Sequence, residues 1–347
     1  MSQEYSRAGL EWLPRTETPS TIKDQFAGSL EALPEANPAL QLALFDPEIA
    51  DAFSAEWDGV ARRLRSEELS CAKELRMALP DWRSPSGGLG ARFINLATKA
   101  SKRFEHSTLL MINRLLVAQL ALRLPQSIPG RNVPSEVLAL YPLAARQLVT
   151  YLQEASDQQY HYPHDSFVKD LRFASGLSVP GGAQDVDLRS TIGYRASARM
   201  LMRIPSGRNI LRVLRYGQLA PWFRIHTDSR YLHDFNEPGW DACYHRIAAL
   251  LKTHPEVLGM VGTSWFYDPQ LESVSPRLGY LRLRPVERGA TVVRNRTSSF
   301  DIESATATSE SRRRLYEAGK FVPVSHTILW PREELLAWAH SAAPKAL

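Results

Sequence analysis

Val257-Leu258-Gly259-Met260-Val261-Gly262-Thr263-Ser264-Trp265-Phe266-Tyr267 decides the fold class. Its apolar residues fall at consecutive positions, which predicts a strand covered on both faces and placed centrally in a sheet. Upstream, Pro221-Trp222-Phe223-Arg224-Ile225-His226-Thr227-Asp228 carries the aromatic and branched residues of a second strand. Between them Ala242, Tyr244, Ile247, Ala248, Leu250 and Leu251 recur at helical spacing, up to the break at His254-Pro255. Downstream the pattern predicts a strand over Leu278–Arg284 and an extended segment over Ala290–Arg296. A polar helix is expected from Ser299 to Gly319, with Gly319 as its C-cap, then a strand over Phe321–Trp330 and a helix over Glu333–His340. This order describes a mixed α/β (α+β) layer, not a strictly alternating doubly wound sheet.

Working back toward the N-terminus, the 156–347 unit opens with Tyr160-His161-Tyr162-Pro163-His164-Asp165. Imidazole and carboxylate groups suit a metal, but a polar loop with solvated histidines accounts for the same residues. Gly181-Gly182 reads as a turn, and no Walker lysine follows it. Arginines at 195, 199, 203, 208, 212 and 215 then run through two amphipathic helical pieces split at Pro205-Ser206-Gly207. Such a stripe fits a phosphate-bearing ligand, nucleic acid or an anionic membrane. It equally fits a solvated face whose apolar side (Met200, Leu201, Ile210, Leu211, Leu214) packs on the core. No helix-turn-helix, zinc-finger or RNA-binding signature accompanies it.

Residues 38–155 show three-to-four apolar spacing throughout, and a helical region is expected there. Asp46-Pro47 offers an N-cap and first-turn proline, Pro125 is expected to break a long helix, and Ser135 to cap another that runs to about Glu154. This region could serve as a cap, a partner-binding element or a surface for homodimer formation. Residues 1–37 are rich in Pro, Ser, Thr and Glu and are expected to be a loosely ordered lead-in.

With 44% apolar and 23% charged residues the 347-residue chain is ordinary for a globular protein. No uninterrupted apolar run approaches the roughly 20 residues of a membrane span, and the N-terminus lacks a signal peptide's apolar centre. The two cysteines, Cys71 and Cys243, are far apart and offer no zinc spacing. A cytoplasmic location is the resulting expectation. The net charge of +5 is carried overwhelmingly by arginine, whose planar fork favours carboxylates and phosphates.

Over roughly Pro221–Trp330 the element order resembles the Gcn5-related N-acetyltransferase superfamily (GNAT). The apolar strand Val257–Gly262 resembles the strand that precedes the family's cofactor-binding strand. Leu281-Arg282-Leu283-Arg284-Pro285-Val286-Glu287-Arg288-Gly289-Ala290 is similar to a strand entering a turn of basic residues and glycine. Arg314-Leu315-Tyr316-Glu317-Ala318-Gly319-Lys320 resembles the late helix-to-strand junction. The resemblance implies an acyltransferase that moves an acyl group from a CoA or acyl carrier protein thioester to a small-molecule amine. It implies Tyr316 as the acid for the leaving thiolate and Arg284, Arg288 and Gly289 as phosphate contacts, with Asp228 or His226 as base and no metal.

A second constellation competes with that one. His226 and Asp228, two apart on a strand, would point to one side, and His326 on a later strand supplies a third ligand. With Arg332 for a carboxylate co-substrate, this resembles the Fe(II) and 2-oxoglutarate-dependent oxygenases. A third reading is a non-enzymatic binding or regulatory protein.

Overall fold

The computed structural model describes residues 47–341 apart from 82, 84–87, 204–206, 217 and 220. The expected lead-in and Asp46 therefore lie outside the described residues. Helices fill the first half: α1 (Pro47–Ala61), α2 (Ser66–Ala78), α3 (Ala91–Arg103), α4 (His106–Ser127), α5 (Tyr141–Glu154) and α6 (Asp165–Ala174). Pro47 is the first residue of α1, where its missing N–H costs nothing. Pro125 does not end α4, which continues to Ser127; it sits in the last turn, where only one intrahelical bond is lost. The helix expected from Ser135 is two, a turn at Ser135–Leu138 and then α5.

The helix α4 is the axis of this bundle, with α1, α2, α3 and α6 packed around it. Its length and mean hydropathy of 1.3 would suit a membrane span, and that apolarity is spent inside the bundle, where Ile112, Leu116, Val117, Ala118 and Ala121 are fully buried. Asn113 of α4 donates to the Tyr160 carbonyl (2.8 Å), and the Tyr160 hydroxyl donates to Asp170 of α6 (3.0 Å). One continuous apolar core runs from these helices into the sheet that follows.

The sheet has six strands: β1 (Ser178–Pro180), β2 (Asp185–Ser190), β3 (Trp222–His226), β4 (Gly259–Ser264), β5 (Thr291–Arg294) and β6 (His326–Pro331). Their spatial order is β1-β2-β3-β4-β6-β5. Only β3 and β4 run parallel; every other neighbouring pair is antiparallel. The mixed α/β class expected from the sequence is the observed one. A helix, α9 (Glu237–Thr253), makes the β3–β4 crossover that a parallel pair requires. Gly181-Gly182 closes the β1–β2 hairpin, with Gly181 N–H donating to the Gln184 carbonyl at 2.8 Å.

Several elements differ from expectation. Leu278–Arg284 is not a strand: residues Tyr280–Glu287 form α10, burying Leu281 and Pro285 four apart. The Leu-Arg-Leu-Arg run alternates like a strand, yet in so short a segment both periods fit and packing decides. The central strand is shorter than its apolar run, since Trp265–Tyr267 leaves it as a 3₁₀ turn. The polar helix is two, α11 (Ser299–Thr306) and α12 (Glu310–Glu317), each begun by a serine whose side chain accepts a first-turn N–H. Strand pairing begins at His326 rather than Phe321, and α13 (Arg332–Ser341) closes the described chain.

Alternation places Phe223, Ile225, Met260, Ile328 and Trp330 on the sheet face that meets the main core, together with α9 and α13. Tyr244 of α9 meets Trp330 edge-on at 5.1 Å. Trp222, Val261 and Leu329 on the opposite face form a smaller core with Ala196 and Met200 of α7 (Tyr194–Arg203). Beside it lies α8 (Gly207–Tyr216), whose Ile210, Leu211 and Leu214 are exposed, contrary to the reading that packed them inward.

Gly259 starts β4 with φ +149°, and a Cβ there would sit 2.2 Å from the Trp330 carbonyl oxygen. Gly259→Ala is therefore expected to cost about 2–3 kcal/mol of unfolding free energy, read by urea denaturation, through strain and displacement of β6.

Candidate active site

Pairing between β3 and β4 stops at Ile225–Gly262, although β3 extends to His226 and β4 to Ser264. Past that point β3 pairs only outward, His226 with Asp185 of β2, and β4 pairs only with β6. Gly262 allows the close approach here, since a Cβ would lie 2.8 Å from both the Tyr267 hydroxyl and Ile225 Cγ1. A cavity of about 1280 Å³ opens at these strand ends, lined by Ile225, His226 and Thr227 on one side and Thr263, Ser264 and Trp265 on the other. The cavity lies beyond the carboxyl ends of the two parallel strands. The volume exceeds the roughly 300–1,000 Å³ of a drug-sized pocket, which leaves room for two reactants.

In that wall, His226 Nε2 lies 2.6 Å from Asp187 Oδ2, and the imidazole is 36% exposed. Asp187 is buried and also accepts from Arg172 Nε at 2.8 Å and Nη2 at 2.7 Å. Burial alone would push the Asp187 carboxyl up; the charges of His226 and Arg172 and their hydrogen bonds outweigh it and hold it below the usual carboxylate range. An ionised Asp187 accepts a hydrogen bond from Nε2–H, which leaves Nδ1 as the lone-pair nitrogen whenever the ring is neutral. A carboxylate that fixes the tautomer of a histidine in a cavity wall is the arrangement of an oriented general base.

Charge in the cavity is unevenly matched. Asp165 pairs with Lys169 (2.5 Å), which also donates to the Thr227 carbonyl. Glu237 pairs with Arg284, and Asp301 caps the α11 N-terminus through Ser298. The arginines Arg277, Arg296 and Arg312 line the same space, and none forms a salt bridge with a carboxylate among the described residues. Arg312 is buried, lies over the Trp265 ring at 5.0 Å and donates to the Ala305 carbonyl and the Ser275 hydroxyl. Burial first, then nearby Arg277, pulls its pKa down. An anionic group would relieve this cluster.

The remaining expected residues lie elsewhere. Arg284 is held by Asp241 and Glu237 of α9, so its fork is already filled by carboxylates. Arg288 and Gly289 form the turn that ends α10; the Arg288 carbonyl accepts from Trp330 Nε1, and a Cβ on Gly289 would collide with Glu334. That turn is a structural junction, and none of the three lines the cavity. Tyr316 on α12 does not line it either; the tyrosines that do are Tyr267 and Tyr280. The Tyr280 hydroxyl is buried without a hydrogen-bond partner among the described residues, and burial pushes it up to about 12.

Asp228 is buried beyond the end of β3, so it does not alternate with His226 on a strand, and it does not line the cavity. His326 donates from Nδ1 to the Val324 carbonyl on β6, two strands from β3, or about 10 Å. The proposed iron ligands are thus not gathered, and no group of three or more His, Cys, Asp or Glu stands ready for a metal among the described residues. His161, likewise, has its ring nitrogens 3.1 Å from the Tyr162 and Gln158 carbonyls.

The N-terminus of α9 also borders the cavity, through Asn236 and Glu237. It is a poor phosphate cradle: Pro238 has no N–H, the Asn236 side chain takes the Gly239 N–H at 2.9 Å, and Glu237 brings a carboxylate. Arg277, Arg296 and Arg312, without a carboxylate partner among the described residues, offer the better anion contacts.

A second cavity of about 360 Å³ lies on the far sheet face, lined by Tyr194, Arg195 and Arg224 and meeting the first at Thr263 and Asn295. Arg224 spans to Ser190 Oγ and the Thr191 carbonyl, both at 2.7 Å.

No family model matches the chain, and no curated protein matches it. Among solved structures, it is similar to an acyltransferase in complex with CoA and 10C-teicoplanin, at 14% identity and a TM-score of 0.42, covering 91% of this chain and 100% of that one. It is similar also to an acyltransferase in complex with decanoyl-CoA, at 12% identity and a TM-score of 0.41, covering 91% and 99%. At that level of likeness no residue's role follows from the comparison.

Proposed function

We propose that this chain is an acyltransferase that moves an acyl group from a CoA or carrier-protein thioester to an amine. The observation that carries the reading is the cavity at the parting ends of β3 and β4, with His226 fixed by Asp187 in its wall. An elongated thioester arm would lie in the cavity beyond these strand ends. The amine attacks the thioester carbonyl; the C–N bond forms, the C–S bond breaks, and the ammonium proton passes to His226 Nδ1. Tyr280, on the cavity wall, takes the thiolate-protonating role that the resemblance gave to Tyr316. Arg277, Arg296 and Arg312 would hold the donor's phosphates, in place of Arg284, Arg288 and Gly289.

Ligand-dependent melting tests this directly. A donor present at about a hundredfold its Kd adds about 2.7 kcal/mol, or roughly 4 °C for a chain of this size. Acetyl-CoA and palmitoyl-CoA should therefore raise Tm, and Arg277→Gln should weaken CoA binding about tenfold while leaving pantetheine, which lacks the nucleotide phosphates, unaffected. Absence of a shift with any thioester would sink the reading.

A further inference from the structure

Residues 188–227 contain eight arginines and no aspartate, glutamate or lysine, so these 40 residues carry +8 of a chain whose net charge is +5. The stretch holds α7 and α8, and these two helices also carry a concentration of exposed large apolar side chains. Tyr194 and Met202 on α7 are each 73% exposed, and Leu211 and Leu214 on α8 are 67% and 78% exposed.

On α7, Ala196 and Met200 turn inward to the sheet, while Tyr194, Ala198 and Met202 share the outer face with Arg195 beside them. On α8, Ile210, Leu211 and Leu214 lie within about 100° of arc and are all exposed, whereas Val213 faces the sheet core. Arg195, Arg199 and Arg208 are exposed and make no ion pair with a described residue.

We propose that the outer face of α7 and α8 binds the surface of an anionic lipid bilayer. An amphipathic helix lying in the interface plane needs apolar residues on one face and arginine at its flanks, where guanidinium groups reach lipid phosphates. Arg189 and Arg203 are paired with Glu256 and Glu334, so the charge offered to lipid phosphates is that of Arg195, Arg199 and Arg208, which have no carboxylate partner among the described residues. A second copy docked through a twofold axis would set this arginine-rich face against itself, which like charges oppose. The apolar residues spread over two helices, broader than the single stripe that a helix-in-groove contact reads. The face also adjoins the second cavity, through Tyr194 and Arg195. This surface does not depend on the acyl-transfer reading.

Sedimentation of the full chain with vesicles tests it. The chain should co-sediment with phosphatidylcholine vesicles containing about one-third phosphatidylglycerol, should not do so with pure phosphatidylcholine, and should be released by salt. Leu211→Gln combined with Leu214→Gln replaces exposed side chains and should lower the vesicle affinity at least about tenfold. Leu143→Gln, exposed on α5, is the control and should bind as wild type. No binding to the anionic vesicles, or equal binding by the double variant, overturns the proposal. Binding to poly-L-glutamate without binding to vesicles overturns it in favour of an acidic protein partner.

Discussion

Asp187→Ala is expected to lower unfolding free energy by about 3–5 kcal/mol, measured by urea denaturation at neutral pH. The substitution leaves Arg172, only 12% exposed, without its bidentate partner and removes the acceptor of His226 Nε2. Arg224, held nearby in the same buried layer, would then add like charge with nothing to balance it. The pH dependence has a definite sign. A carboxyl whose folded pKa is depressed contributes stability at every pH above its unfolded value of about 3.9, and that contribution is lost as pH falls through the folded value. Wild-type stability should therefore decline below about pH 4, and the Asp187→Ala curve should be flatter across the same window. An alanine variant as stable as wild type would show that the cluster does not rely on this carboxylate.

His226→Gln is expected to lower kcat by about 10²–10⁴-fold with little change in KM or Tm. The side chain is partly exposed and is held by a single hydrogen bond, to Asp187, so the fold does not depend on it as it does on Asp187. Asp187→Asn should also lower kcat, since an amide cannot fix the same tautomer, and it separates positioning from the base itself. Tyr280→Phe offers a contrast. Removing a buried hydroxyl that has no partner among the described residues should leave Tm unchanged or raised, while kcat falls about tenfold if that hydroxyl protonates the thiolate. Unchanged kcat in His226→Gln would dismiss the base assignment.

Why these residues were only partly legible follows from their surroundings. The strand at Gly259–Ser264 was readable because both its faces are covered, which leaves an uninterrupted apolar signature. Asp185-Val186-Asp187-Leu188 hides a strand, because its charged side is buried against Arg172 and His226 where alternation normally marks solvent. A signal existed: the Asp185/Asp187 alternation complements the Arg224/His226 alternation of β3, its antiparallel neighbour. His226 could be named in advance, but its partner lies 39 residues away, and no spacing rule joins them. The phosphate contacts were misplaced for a similar reason. Arg284 looked available until folding brought Glu237 and Asp241 to it. Arg277, in a short 3₁₀ turn, and Arg296, in the loop after β5, come from segments that leave no periodic trace.

The end of β3 has one more consequence, for how such a site can change over generations. His226 is the final ladder residue of that strand, its backbone still paired with Asp185. The proton-handling pair is thereby built on two paired strands, where small displacements that would spoil it are resisted. Arg277 and Arg296, by contrast, are exposed and belong to connections between elements. Substitutions there can alter what is held without disturbing the sheet, so selectivity can drift while the reacting geometry is inherited intact.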